Sequence, residues 1–385
     1  MDYTLRIEDI YQKLVNNWDT LKNSSVHSEI EKAKYICIFG TGDWFRYAVK
    51  NYYPFTTRRL DFVCDNDEKK WGNYFEGALC ISPDELRGYK DEVFVFVAVK
   101  NPQPIFDQLK EIGITKMNIT TPWCMQHYDE SLFHSLEWRN DFKENIFKTL
   151  NILEDDFSKE TVLHILNTRY SVPPEYENYS DIIVSKGDDY FMNTPITPYL
   201  KNEYFVDIGT YTGDTILSFL QTVNSEFEYI YSYELDRNNY SKAVENYSLM
   251  EEAIQKKIII KNIGIGKENG TVKYTSCMEE SRVIGDEIID NSTIFEGEIH
   301  SLDYELSKKP VTLIKMDIEG QEVNALRGAE EIIRTQKPKL AICIYHKNAD
   351  LWQIPFLIKE YNPDYKIYIR HQSCIFATTV CYAIP

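Results

Sequence analysis

FVDIGTYTGDTILSF, residues 205–219, reads as a strand, a tight glycine turn and a helix. Tyr204, Phe205 and Val206 form an apolar run that ends in Asp207. Gly209 and Gly213 follow, and then Ile216, Leu217, Phe219 and Leu220 recur at helical spacing. A second apolar run, YIYSYE at 229–234, ends in Glu234. A carboxylate-tipped strand beside a glycine turn suits a nucleoside. Glycine lets the backbone approach a ligand, and the carboxylate accepts hydrogen bonds from both ribose hydroxyls. The glycines are spaced GxxxG rather than GxGxxG, which favours S-adenosylmethionine over a dinucleotide.

Working outward, 385 residues predict two domains. A composition of 43% hydrophobic and 14% aromatic residues is enough for sizeable cores. The net charge of -18 argues against binding a phosphate backbone, so nucleic acid is not an expected partner. Eight cysteines form no CxxC pair. Cys37, Cys343 and Cys381 lie inside apolar runs, as buried thiols in a reducing compartment do. The first residues, MDYTLRIEDIYQ, carry charges where a signal peptide needs an apolar core. The longest apolar stretch, Val93 to Val99, is too short for a bilayer. The expected location is the cytoplasm.

Residues 1–33 show a helical stripe of Leu5, Ile7, Ile10, Leu14, Trp18 and Leu21, interrupted from Lys22 to Ser25. It reads as a helix packing on the next domain, or as a contact in a homo-oligomer. Residues 34–120 alternate strands (KYICIFG, RLDFVCDN, VFVFVAV, KMNIT) with helices (FRYAVKNYY, SPDEL, PIFDQLKEIG), which implies a parallel sheet. Ser82 is the expected cap of SPDEL, with Pro83 at its first helical position. Residues 121–200 read as a helical connector with polar, Pro-containing turns, SVPPEYENYSD and NTPITP, that could cover the second domain's active site.

Residues 201–385 form a second α/β unit. Its strands are EYFVDIG, EYIYSYE, KIIIKNIGIG, VTLIKMDIEG, LAICIYH, YKIYIRH and ATTVCYAI. Its helices are ILSFL, NYSKAVENY, NALRGAEEII and LWQIPFLIKEY. The last two strands have no helix between them, so an antiparallel hairpin should close the sheet. Ligands of such sheets sit beyond the carboxyl ends of the strands. The residues there are Asp207, Glu234, Asn262, Asp317 with Glu319, His346 and His371. Asp317 could equally cap the next helix, and both histidines could be satisfied by backbone carbonyls.

The same segments resemble a known family. FVDIGTYTGDT, YELD, NIGIG, SLD, IKMDIEGQEVNALRGAEEII, IYHKNADLWQIPFLI and YIRH look like the FkbM family of S-adenosylmethionine-dependent methyltransferases over about residues 201–385. The resemblance implies a Rossmann-like class I methyltransferase fold with a seven-stranded, mostly parallel sheet. It implies a cofactor loop of Asp207, Gly209, Tyr211, Gly213, Asp214 and Thr215. Glu234 would bind the ribose with Asp236 nearby, and Asn262 and Ile263 would flank the adenine. One departure is Thr378-Thr379-Val380, where members often carry Glu-Thr-Val, and substrate choice could differ with it.

Methyl transfer is an in-line displacement on an electrophilic sulfonium, so the protein must align the acceptor and remove its proton. His346 is the expected base, oriented by Asp317 or Glu319, with His371 the other histidine of the strand-end set. The alternative is a divalent metal held by Asp317, Glu319 and a histidine. The expected acceptor is a hydroxyl of a small molecule, sugar or glycan, as in polysaccharide assembly, with polyketide-like products the competing class. In the first domain, IFGTGDWF carries the first two glycines of GxGxxG but Phe45 at the third. Asp65, Asn66, Lys70, Gly72 and Gly77 resemble the nucleotide-binding-like domain that precedes some sugar-modifying enzymes. It serves either packing or the docking of a nucleotide-sugar or glycan carrier. The rival reading of the whole chain is a nucleotide-sugar or dinucleotide-binding protein whose second domain is not catalytic.

Overall fold

Two units divide the chain in this computed structural model: Met1–Asn140 with His164–Asp181, and Asp141–Leu163 with Ile182–Pro385. The structure describes residues 3–22, 25–42, 45–46, 48–49, 55, 58–99, 103–119, 136–169, 182–184, 190–277, 280–283, 294–373 and 378–385. The expected turn SVPPEYENYSD, residues 171–181, lies outside them.

In the first unit, α1 (Tyr3–Lys22) and α2 (Ser25–Lys32) are separated where the apolar stripe breaks. Six strands follow: β1 (Tyr35–Phe39), β2 (Phe62–Cys64), β3 (Tyr74–Phe75), β4 (Ala78–Ile81), β5 (Val93–Val97) and β6 (Met117–Ile119). Their order is β3-β4-β2-β1-β5-β6, and every pair except β3–β4 is parallel. β5 is buried along its whole length, as a strand of a parallel sheet covered on both faces must be. The β3–β4 hairpin was absent from the sequence reading. Glu76 and Gly77 turn it, with φ of 46° and 82°, the positive pair that a two-residue hairpin loop requires. α3 (Pro83–Leu86) starts at Ser82 with a full capping box to Glu85, and α4 (Gln103–Glu111) precedes β6. The expected helix FRYAVKNYY is described only at residues 45, 46, 48 and 49, which are helical.

The boundary between the units falls within α5 (Leu136–Ile152) and α6 (Asp156–Arg169). The second unit continues with β7 (Glu203–Ile208), α7 (Asp214–Thr222), β8 (Phe227–Tyr233), α8 (Arg237–Ser248), α9 (Glu252–Gln255) and β9 (Ile258–Lys261). Next come β10 (Gly264–Ile265), β11 (Gly270–Cys277), β12 (Glu280–Val283), β13 (Ile294–His300) and α10 (Leu302–Glu305). The chain ends with β14 (Leu313–Met316), α11 (Glu322–Arg327), α12 (Glu330–Gln336), β15 (Lys339–Cys343), α13 (Asp350–Tyr361), β16 (Lys366–His371) and β17 (Thr379–Ile384).

The large sheet has seven strands in the order β16-β17-β15-β14-β7-β8-β9. Its parallel pairs are β15–β14, β14–β7, β7–β8 and β8–β9, while β17 runs against both its neighbours. This is the expected fold class, a mostly parallel α/β sheet closed by an antiparallel hairpin. Phe191, Phe205, Phe219 and Phe227 pack in a chain of tilted and edge-on rings beneath it.

Two segment assignments change. KIIIKNIGIG is not one strand: it breaks at Asn262 and Ile263, and β10 joins a separate sheet ordered β10-β13-β11-β12. NALRGAEEII breaks at Gly328 and Ala329 into α11 and α12. NTPITP, expected as a turn, runs into a short 3-10 turn, Thr197–Tyr199. Among the described residues Cys37, Cys64, Cys80, Cys343 and Cys381 are buried free thiols, and no helix is long and apolar enough to cross a membrane.

Candidate active site

Because β7, β8, β14 and β15 run parallel, their carboxyl ends line one edge of the sheet. The loop after β7 is built from inside. The Asp317 N–H donates to the Ile208 carbonyl at 3.1 Å. A Cβ on Gly209 would stand 1.8 Å from the Asp317 carbonyl oxygen, and its φ is +76°. Gly213 has a φ of +90°, and a Cβ there would come within 2.5 Å of the Tyr247 ring. Ligand approach is the sequence-based reason for these glycines. The structure gives them a nearer one, crowding against the protein's own chain.

Asp207 faces inward. Its Oδ2 accepts the Thr210 hydroxyl at 2.7 Å, and its Oδ1 pairs with Lys315 Nζ at 3.2 Å. Lys315 Nζ also donates to the Gly209 carbonyl at 2.8 Å. Burial pushes the Asp207 carboxyl up, against the pull of Lys315 and Thr210. Asp207 therefore props the loop. Asp214 opens α7 and Thr215 is buried behind it.

Glu234 ends β8. Its Oε2 accepts the Tyr211 N–H at 2.9 Å and its Oε1 the Asp236 N–H at 2.8 Å. Burial raises its pKa to about 7, although both backbone donors favour the ionised form. Asp236 is engaged elsewhere: its Oδ1 caps α8, accepting from Asn238 N–H at 2.8 Å and Asn239 N–H at 2.9 Å. Asn262 donates from Nδ2 to the Glu234 and Leu235 carbonyls, each at 2.9 Å, and so braces the turn after β8. Ile263 is buried beside it.

The second group of side chains gathers after β14 and β15. Tyr190 donates its hydroxyl to Asp317 Oδ2 at 2.7 Å, and Tyr345 donates to Oδ1 at 2.8 Å. Glu319 and Gly320 have φ of 55° and 86°, two left-handed residues that reverse the chain into α11. The Ile318 N–H donates to Glu322 Oε1 at 2.9 Å. His346 sits among three carboxylates. Its Nδ1 is 3.0 Å from Glu322, and its Nε2 is 3.5 Å from both Asp317 and Glu319.

Burial by itself would lower the pKa of His346, but Glu322, Glu319 and Asp317 outweigh it and raise the value to about 10. Burial raises Asp317, yet His346, Lys315 and the two phenols leave its carboxyl below the usual range. His346 thus holds its proton at neutral pH. The sequence-based role of a neutral imidazole base rests on a protonation state this environment disfavours.

Asp317 does not cap α11, whose cap position is Gln321. His371 is fully buried at the end of β16, with Nδ1 2.9 Å from the Thr379 hydroxyl. β17 stands between it and β15 in the sheet. Glu322, Tyr190, Tyr345 and Lys315 were missed. Lys315 did leave a signal, as the one charge in the buried strand LIKM. Glu322 lies three residues after Glu319 in DIEGQE, a helical spacing that also carried one. Tyr190 left none.

In the first unit, Asp65 accepts the Thr41 hydroxyl at 2.7 Å, Lys70 Nζ at 2.8 Å and the Asp67 N–H at 3.0 Å. Phe45 is buried in that unit's core.

Residues 207–370 match the model of the methyltransferase FkbM domain. Among solved structures the chain is similar to methyltransferase FkbM from Methylobacillus flagellatus KT, at 20% identity and a TM-score of 0.69, over 99% of this chain and 100% of that one. An rRNA methylase from Streptococcus thermophilus aligns at 13% identity and a TM-score of 0.30, over 49% of this chain and 89% of that one. Aeropyrum pernix fibrillarin, solved with natively bound S-adenosyl-L-methionine, aligns at 9% identity and a TM-score of 0.31, over 50% of this chain and 70% of that one. Among curated proteins no sequence matches. The family match does not reach residues 34–120.

Proposed function

We propose, from the premise that residues 207–370 are an FkbM methyltransferase domain, that this chain transfers a methyl group from S-adenosylmethionine to a hydroxyl oxygen. The acceptor we favour is a sugar or glycan in polysaccharide biosynthesis. One observation carries the reading. The loop that begins at Gly209 and the carboxylate group around Asp317 touch through their backbones, so the two sets of side chains share one place.

In this reading, Glu234 takes the ribose hydroxyls with its free lone pairs, while Tyr211 and Asp236 N–H groups fix its carboxylate. Gly209, Tyr211, Gly213, Asp214 and Thr215 bound the cofactor, and Asn262 and Ile263 border its base. Asp207 acts through Lys315 and Thr210 by holding the loop. The acceptor lies at Asp317 and Glu319, whose side chains keep 23% and 17% of their surface exposed while those of His346 and Glu322 keep 1% each.

As the acceptor oxygen bonds to the methyl carbon, its proton becomes strongly acidic, so a carboxylate suffices to take it late in the displacement. We assign that step to Glu319, with Asp317 orienting the hydroxyl. His346, already protonated, holds both carboxylates in place. Alignment of donor and acceptor supplies most of the remaining acceleration.

Calorimetric titration with S-adenosylmethionine tests the premise of this reading. Saturable binding is expected, weakened by about tenfold or more in Glu234→Ala, since a hydrogen bond to a charged group contributes about 1.5–3 kcal/mol. Folded wild-type protein that takes up no cofactor would sink the reading. With cofactor bound, turnover on a panel of sugars and glycans identifies the acceptor.

A further inference from the structure

Glu322 is an anomaly inside the site. It is fully buried, its Oε1 accepts the Ile318 N–H at 2.9 Å, and its Oε2 is buried without a hydrogen bond. A buried carboxylate oxygen with no donor is costly, and such atoms in native proteins ask for a reason. Three carboxylates, Asp317, Glu319 and Glu322, surround the imidazole of His346. Lys315 and Lys347 aim their ammonium groups at the carbonyls of Gly209 and Gly320. The cluster is therefore richer in negative than in positive charge at its centre.

Ligand atoms from Asp317, Glu322 and His346 all lie within 4.8 Å of one another. Bonds of about 2.1 Å place opposed ligands on one ion about 4 Å apart, so small side-chain adjustments would close a shell. Two features resemble the outer support that metal ligands usually have. Tyr190 and Tyr345 fix both oxygens of Asp317, and the Ile318 N–H fixes Glu322. Asp317 and Glu319 keep part of their side-chain surface exposed, so water or an acceptor oxygen could complete the shell from that side.

We propose that Asp317, Glu322 and His346 form a binding site for one divalent cation, with Glu319 at its rim. The ion displaces to solvent the proton that His346 holds in its absence. The ligand set differs from the sequence-based alternative, in which Glu319 stood where Glu322 does. Two carboxylates and one imidazole suit manganese, magnesium or zinc rather than a soft ion. Binding of the ion to this chain stands apart from methyl transfer. Its use, polarising an acceptor hydroxyl, rests on the methyltransferase reading.

Full-length protein stripped with a chelator is titrated with manganese(II), and the free ion is followed by electron paramagnetic resonance. Magnesium and zinc serve as competitors. One ion per chain is expected, with saturable binding lost in Glu322→Gln and in Asp317→Asn. Tyr190→Phe keeps every ligand and should weaken the site by roughly tenfold. Circular dichroism shows which variants fold, and two substitutions guard against the loss of one. Absence of saturable binding in folded wild type overturns the site, as does a folded Glu322 or Asp317 variant that binds as wild type does. S-adenosylmethionine calorimetry on the same preparation separates the two readings: cofactor uptake without manganese uptake removes the ion and leaves methyl transfer standing.

Discussion

In the proposed reading, Glu234 would tie cofactor affinity to pH. Its buried carboxyl has a pKa of about 7, and ribose hydroxyls donate best to the ionised form. Affinity for S-adenosylmethionine should rise with pH through 7 and level off above it, and Glu234→Gln should flatten the profile. Calorimetry at several pH values reads both. The linkage to stability has the opposite sign. A carboxyl raised above its unfolded value of 4.5 is harder to ionise in the folded chain, so its contribution declines from pH 4.5 to about 7. Lys315 gives a second test. Lys315→Met strands Asp207 in the interior, and breaking such a buried pair costs about 3–5 kcal/mol in urea denaturation. The sequence made the position of Glu234 legible, as an acid directly after a strand and beside a glycine turn. It could not separate Glu234 from Asp236, since a carboxylate that braces a loop and one that caps a helix look alike until the N–H groups they accept from are placed. The pKa of His346 was hidden for a similar reason: it depends on Glu322, which α11 brings round from three residues past Glu319.

At the scale of elements, α6 is tied to β16 by side chains distant in sequence. Asp155 caps Ser158 N–H at 2.7 Å and pairs with Arg370, and the Ser158 hydroxyl accepts the Ile369 N–H at 2.9 Å. Asp155→Ala removes the cap and the ion pair together, and a loss of about 1–3 kcal/mol in chemical denaturation is expected. A change under a few tenths of a kcal/mol would show that the tie does not hold these elements. Strands with buried runs were the legible ones: β5 is apolar end to end, and β14 is broken only by Lys315. The sheet at residues 264–300 was not, for a physical reason. β13 buries none of its residues, and the alternating set Phe295, Gly297 and Ile299 in IFEGEIH carries only two apolar side chains, a weak signal. The break inside KIIIKNIGIG was equally silent, because Asn262 turns the chain through its amide, a contact that no periodicity reports.

For the whole molecule, the proposed function assigns the nucleoside to the second unit. Hydrogen exchange with and without S-adenosylmethionine should show slowing in β7, the loop to α7, and residues 230–236, with β1 and β5 unchanged. Slowing confined to residues 35–99 would instead support the dinucleotide or nucleotide-sugar reading. The class of the second unit was legible because strand-helix alternation and the missing last helix both constrain topology. Its acceptor was not, because carboxylates and imidazole at a sheet edge serve many substrates equally well.

The near-contact of Gly209 with the Asp317 carbonyl has a genetic consequence. In a saturation-mutagenesis map, position 209 would tolerate no side chain, and its lesions would share a phenotype with those at Asp317, 108 positions away in the numbering. A suppressor of a mild defect in one loop should therefore be sought in the other. Donor and acceptor halves of the chemistry would be inherited as a single locus.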